Sequence, residues 1–219
     1  MKRKFFIVIC LVVFIVSVAA VSATEDINQT ISDDALSVST DNEISVRDAG
    51  TFTALQEKIN NADAGSTITL NNDYLRDDSS DPNRIRIDKA LTINGNGHKI
   101  DVDGSYYGQS RIFYITSSNV VLNDIDFLNA YVMGHYSEAG SYNGGAIYSE
   151  KNLVLNNCNF INCYIQDGYG AAVYSSADVT INRCTFTKNS GNSNSGYAAS
   201  SVISAKNVFA NACSFYDND

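Results

Sequence analysis

The sequence is poor in basic residues, poor in charge altogether, and holds a single proline in 219 residues. Lys and Arg number 15 against 24 Asp and Glu, for a formal net charge of -9. Nucleic acid and anionic membrane both require clustered Lys and Arg, so the acid excess excludes them as main partners. Charged residues make up only 18% and hydrophobic residues 44%, a balance that excludes wholesale disorder. Four of the five cysteines (Cys158, Cys163, Cys184 and Cys213) fall in the last third, which excludes a small disulfide-framework domain. The two histidines, His98 and His135, lie in separate segments, and neither has a Cys, His or Glu partner at metal-ligand spacing. No nucleophile motif, phosphate loop or zinc motif is present. What remains is polarity without charge, carried by Asn, Ser, Thr and Gly, a composition suited to extracellular β-rich repeats.

Three segments follow from the N-terminal half. Lys2, Arg3 and Lys4 precede an apolar run from Phe5 to Val21, and Val21-Ser22-Ala23 offers small residues for a signal peptidase. Residues 1–23 therefore read as a cleaved secretory signal, with no membrane span expected after cleavage and a secreted or cell-surface location. Residues 24–46 are acidic and rich in Ser, Thr, Asp and Asn, which predicts a disordered spacer. Asn28-Gln29-Thr30 in that stretch is a glycosylation sequon, so Asn28 is a candidate glycan site. Residues 47–219 form the folded part. It opens with apolar residues at Phe52, Leu55, Ile59 and Ala62, which predict an amphipathic helix capped by Thr53 and Gln56 and ended by Gly65.

After the helix comes a repeat, aligned on Phe127, Phe160, Phe186 and Phe215 at spacings of 33, 26 and 29 residues. Counting back from each Phe, position -7 reads Val120, Leu153, Val179, Val208, and position -5 reads Leu122, Leu155, Ile181, Ala210. Position -4 is always Asn: Asn123, Asn156, Asn182, Asn211. Position -2 reads Ile125, Cys158, Cys184, Cys213. Leu91 to Asn94 is an earlier copy, and Ile68/Leu70 an earlier rung still. Residues two apart share one face of a strand, whereas the three-residue step from -5 to -2 demands a bend. The Asn at -4 is placed in that bend, able to accept left-handed backbone and to bond up and down a stack. Stacked units of short strands and corners make an all-β, right-handed parallel β-helix of about five rungs, its N-terminal end covered by the helix. Gly144-Gly145-Ala146-Ile147-Tyr148 recurs as Gly170-Ala171-Ala172-Val173-Tyr174, with either Ile147/Val173 or Tyr148/Tyr174 inward.

These residues carry a resemblance. Gly144-Gly145-Ala146-Ile147 followed by Phe160-Ile161-Asn162 resembles the repeat of polymorphic membrane proteins, outer-surface adhesins and autotransporters. The arrangement of signal, acidic spacer, Phe52-Thr53-Ala54-Leu55-Gln56 helix and Asn94-to-His98 rung is similar to adhesin-like surface proteins of methanogenic archaea. Those proteins resemble the pectate-lyase-like right-handed β-helices in fold. The resemblance implies cell-surface display and contact with carbohydrate or a cell-surface protein. This chain departs from the pattern where Ala199-Ser200-Ser201 stands in the Gly-Gly slot, and it stops four residues after Phe215, which reads as truncation at the C-terminal end.

Two kinds of site are candidates. Asp124 and Asp126, on one strand face, sit ~7 Å apart, the separation of inverting glycosidase carboxylates, with Arg183 two rungs away at ~10 Å. They give the alternative reading of a polysaccharide lyase or glycoside hydrolase. Calcium at Asp77, Asp78 and Asp81 is the one cofactor candidate, without a recognised ligand pattern. The favoured site is non-catalytic. Tyr106, Tyr107, Tyr131, Tyr136, Tyr142, Tyr164, Tyr169 and Tyr197 recur in the connections after the Phe column, and stacking collects them along one edge with Asn129, His135, Asn143, Asn192 and Asn194. Tyr suits sugars and protein partners alike. A purely structural spacer is the remaining reading. The -2 cysteines read as free buried thiols, because parallel columns ~4.8 Å apart exceed the Cβ separation of a relaxed disulfide. Cys163 reads as a reactive loop thiol, and Val121, Val154, Thr180 and Phe209 as an outward apolar stripe.

Overall fold

In every rung two pairs of inward residues are separated by a corner, and the corner is what closes the coil. Leu153 and Leu155 are buried, as are Cys158 and Phe160, and the rungs above and below repeat this. Between the pairs, position -3 takes left-handed backbone: φ is 53° at Asp124, 53° at Asn157, 54° at Arg183 and 53° at Ala212. This corrects the expected corner by one residue. The Asn at -4 ends the preceding strand (Leu153–Asn156 in one rung) instead of turning. Extended backbone there lets its side chain reach its neighbours. Asn123 Nδ2 donates to Asn94 Oδ1, Asn156 Nδ2 to Asn123 Oδ1 and Asn182 Nδ2 to Asn156 Oδ1, each at 2.8 Å.

The computed structural model describes residues 49–76, 83–103, 110–133, 142–193 and 201–219. These residues form a right-handed parallel β-helix with one short helix near its start. The signal segment, the acidic spacer with Asn28, and the Asp77, Asp78 and Asp81 segment lie outside the described residues. Strands stack into sheets of seven, six, five and three. The six-stranded sheet runs from Thr67–Thr69 through Leu91–Asn94, Val120–Asn123, Leu153–Asn156 and Asp178–Asn182 to Asn207–Asn211. The seven-stranded sheet carries the Phe column, with Phe127 opposite Phe160, Phe160 opposite Phe186, and Phe186 opposite Phe215. The rings stack face to face at 4.8, 4.9 and 4.8 Å. Each buried Phe contributes about 1.5–3 kcal/mol by leaving water, with about 0.5–1.5 kcal/mol more per ring pair.

The five-stranded sheet settles the open register. Ile147 pairs with Val173 and Phe113 and is buried, so Tyr148 and Tyr174 point outward. The turn before these strands needs glycine. Gly144 and Gly170 have φ of 73° and 76°. A Cβ there would lie 2.2 Å from the carbonyl oxygens of Ile147 and Val173 respectively.

The helix spans Phe52–Asn61 and buries Phe52, Leu55 and Ile59 against the first rungs. Its cap is Thr51, not Thr53: the Thr51 hydroxyl accepts from the Ala54 N–H at 3.1 Å. Gln56 is thereby released for another task. Its Oε1 accepts from the Arg86 N–H at 2.6 Å, and its Nε2 donates to the Arg86 carbonyl at 3.1 Å. Arg86 lies in Ile85–Ile87, the edge strand of the five-stranded sheet. One side-chain amide thus supplies the pairing that a preceding strand would otherwise provide, which blunts the edge.

Replacing Asn156 by Ala removes one ladder bond it donates and one it accepts, leaving the Asn182 amide without its partner. The expected loss is about 1–3 kcal/mol in urea unfolding. A loss no larger than that of an exposed Thr67→Ala control would show that the ladder does not stabilise the coil.

Candidate functional site

The loop edge is built on the three-stranded sheet, Tyr131–Val132, Tyr164–Gln166 and Ser190–Asn192. Val132 and Ile165 are buried, and the alternation turns Tyr131 and Tyr164 outward. Their rings stack at 4.9 Å and 14°. Burial, with Tyr131 and Asp167 nearby, raises the pKa of the Tyr164 phenol and keeps it a neutral donor. Beside this pair, Asn129 and Asn162 turn the corner after the Phe strand, each with φ of 55°. Asn162 Nδ2 donates to Asn129 Oδ1 at 2.8 Å, and Asn129 Nδ2 donates to Asp101 Oδ1 at 2.8 Å. This second polar ladder was not foreseen, although the recurrence of Asn two residues after Phe127 and Phe160 was available as its signal.

The expected tyrosines divide. Tyr131 lies on this edge, and Tyr169 is 46% exposed. Tyr142 does not join them. It is only 6% exposed and clusters with Val132, Ile165 and Ala171 in a small satellite core. The reason is local: the Gly144 turn leads straight into the inward strand, so the ring just before it covers the wall. Tyr106, Tyr107, Tyr136 and Tyr197 lie outside the described residues, as do His135 and Asn194. Asn143 is buried, and its Oδ1 accepts from the Tyr169 N–H at 2.9 Å, so it holds the loop instead of facing a ligand.

The carboxylate pair has a different geometry from that expected. Asp124 is the left-handed corner residue, while Asp126 begins the strand Asp126–Leu128. The two therefore do not share one strand face. Asp126 is engaged by Asn159, whose Nδ2 donates to its Oδ1 at 2.6 Å. Arg183 occupies the same corner column as Asp124, and its Nε donates to Asn157 Oδ1 at 2.7 Å. The corner thus strings Asp, Asn and Arg along the axis in successive rungs, each inside or beside a ladder.

Cys158, Cys163, Cys184 and Cys213 are all free thiols. Cys158 and Cys184 are fully interior, and their Sγ atoms donate to the Asn156 carbonyl at 3.4 Å and the Asn182 carbonyl at 3.5 Å. The hydrogen bond with Cys184 and burial raise the Cys158 pKa. Cys163, expected in a loop, is instead buried at the position three after Phe160, and burial pushes its thiol up to about 12. Its column continues in Asn189, fully buried, whose Nδ2 donates to the Phe160 carbonyl at 2.9 Å and whose Oδ1 accepts from the Cys163 N–H at 3.0 Å. Cys213, in the last rung, is half-buried.

A further aromatic column went unrecognised because its register was open. Tyr114, Tyr148 and Tyr174 stack outward on the five-stranded sheet with centroids 5.2 Å apart at each step. The Arg84 and Arg86 guanidinium carbons lie 5.2 and 5.8 Å from the Tyr114 centroid, and that of Arg111 lies 5.2 Å from Tyr148. Tyr114 donates its hydroxyl to Glu150 Oε1 at 2.6 Å, and that bond raises its pKa. Arg111 is almost wholly buried and donates to the Gly144 and Asn143 carbonyls at 2.8 and 2.6 Å. Burial, and Arg84 nearby, lower its pKa to about 10, still protonated at neutral pH.

A family model described as "Putative pectate lyase-like adhesive domain" matches residues 46–193. No curated protein and no solved structure matches the chain.

The burial pattern sets an order of thiol reactivity. In the folded protein Cys213 is expected to react first with an aromatic disulfide reagent, and Cys158, Cys163 and Cys184 only on unfolding. Cys213→Ser should remove the fast phase. Fast labelling of Cys163 in folded protein would contradict its place in the core.

Proposed function

Because the chain belongs to the pectate lyase-like adhesive domain family, we propose that it is an adhesin-like β-helix module, displayed at the cell surface or secreted, that binds carbohydrate or a cell-surface partner without catalysis. The observation that carries this reading is the Tyr131–Tyr164 stack beside the Asn129–Asn162 ladder. The column continues from Tyr164 to Ser190, so among the described residues no ring follows Tyr164 on its second face. An aromatic face of that kind takes the apolar side of a sugar ring, and the flanking amides and phenol hydroxyls offer hydrogen bonds to its hydroxyls. Both tyrosines are held on strands of the solenoid, so binding would cost little ordering. The matched family, the secretory-type N-terminus and the Asn-rich, charge-poor composition support the same reading.

Glycan-array binding by the folded chain is the test. Tyr164→Ala is expected to weaken the strongest signals by about tenfold or more, with Tyr169→Ala weaker in effect. Unchanged binding in Tyr164→Ala would move the site off this edge. Sugar release from acidic or neutral polysaccharide, abolished by Asp124→Asn, would replace the binding module by a lyase or hydrolase.

A further inference from the structure

The five-stranded sheet carries a second surface, on a different sheet from the loop edge. Its outward column reads Arg86, Tyr114, Tyr148, Tyr174, Ser204 in register from rung to rung. No carboxylate stands in that column, although the whole chain has a net charge of -9. Arg84 is exposed beside it, and both Arg84 and Arg86 lie over Tyr114. Among the described residues the acids at its margin are Asp88, whose Oδ2 is 3.8 Å from Arg86 Nε, and Glu150, held by the Tyr114 hydroxyl. Arg86 and Asp88 side chains are 57% and 56% exposed, so that contact is a weak one.

The ring geometry discriminates between ligands. Tyr148 is covered on both faces by its tyrosine neighbours, and Tyr114 by Tyr148 on one side and the arginines on the other. Among the described residues of the column, only Tyr174 has no ring or guanidinium on its second side, where Ser204 follows. The column therefore offers ring edges, hydroxyls and guanidinium groups, and little flat aromatic surface for a sugar. Tyr and Arg together, presenting donors at regular spacing, match side-chain carboxylates.

We propose that this arginine-edged tyrosine column docks an acidic protein segment, an extended run of Asp or Glu side chains lying along the solenoid axis. At about 3.3 Å per residue against about 4.8 Å per rung, roughly five residues of such a segment span the column from Arg86 to Tyr174. Guanidinium groups of Arg84 and Arg86 take carboxylates at one end, and the phenols of Tyr148 and Tyr174 donate further along.

Fluorescence anisotropy of a labelled peptide alternating Glu and Ser, about ten residues long, tests the proposal on the full chain. Binding is expected to weaken by about tenfold or more in Arg84→Glu/Arg86→Glu, and to fall as salt rises from about 50 to about 300 mM. Arg84→Lys/Arg86→Lys keeps the charge and should retain part of the affinity. Tyr164→Ala, on the loop edge, should leave it unchanged, which separates this surface from the glycan site. Circular dichroism of each variant confirms the fold, both arginines being exposed. Absence of peptide binding, binding indifferent to charge reversal, or preference of this face for a sulfated or uronate oligosaccharide over the peptide would overturn it.

Discussion

Every feature of this molecule depends on in-register parallel stacking of one rung on the next. At that register each side chain meets its own counterpart, so any residue type repeated in a column interacts with itself. The consequence differs with the chemistry of the column. Phe stacks face to face, Asn bonds amide to carbonyl, and Cys lies among main-chain carbonyls as a free thiol. None of these contacts is strong alone, but each is repeated along the axis. The stack also sets the problem of its own end, since a first rung has nothing above it. Here the helix buries its apolar face on that rung, and Gln56 satisfies the backbone of the edge strand.

The same repetition shapes the surface. Outward columns become rows of identical or related groups at one rung spacing, held by the backbone instead of by loops. That favours ligands which themselves repeat, such as glycans or extended peptides, and it supports the proposal of an adhesin-like module. The two tyrosine columns differ in what repetition leaves available. Among the described residues Tyr164 is followed by Ser190 and not by a ring, whereas Tyr148 is enclosed by rings on both sides. Identical side chains thus support different proposed ligands according to their neighbours one rung away.

Much of the fold was legible in the sequence because the column pattern is a direct image of the stack. The inward identities at -7, -5, -2 and 0 could be read off, since positions buried in the Phe127, Phe160 and Phe186 rungs alike leave a hydrophobic column. The corner was misplaced by one residue, because both -4 and -3 are plausible turn positions and only the backbone shows which is left-handed. Position -3 reads Asp124, Asn157, Arg183 and Ala212, which shares no chemistry from rung to rung. There the constraint is conformational, and the side chain is free to vary. The site was less legible than the fold. Tyr142 and Tyr169 look alike in sequence, yet one seals a satellite core and the other is exposed. Cys163 looked like a loop residue because its column holds Ala130 and Asn189 in adjacent rungs, side chains that share burial but no chemical type.

What the sequence by itself determined was the repeat, and with it the β-helix, the inward columns and the helix at the N-terminal end. These follow from local spacing, and spacing is a property of the chain. What only the tertiary structure decided was which way the Gly144-to-Tyr148 and Gly170-to-Tyr174 strands face, and therefore that Tyr114, Tyr148 and Tyr174 form an outward column beside Arg84 and Arg86. Strand alternation has a period of two, so a shift of one residue exchanges core for surface at no cost to the local pattern. The choice is made by the neighbouring rungs, through burial of Phe113, Ile147 and Val173 in one shared core.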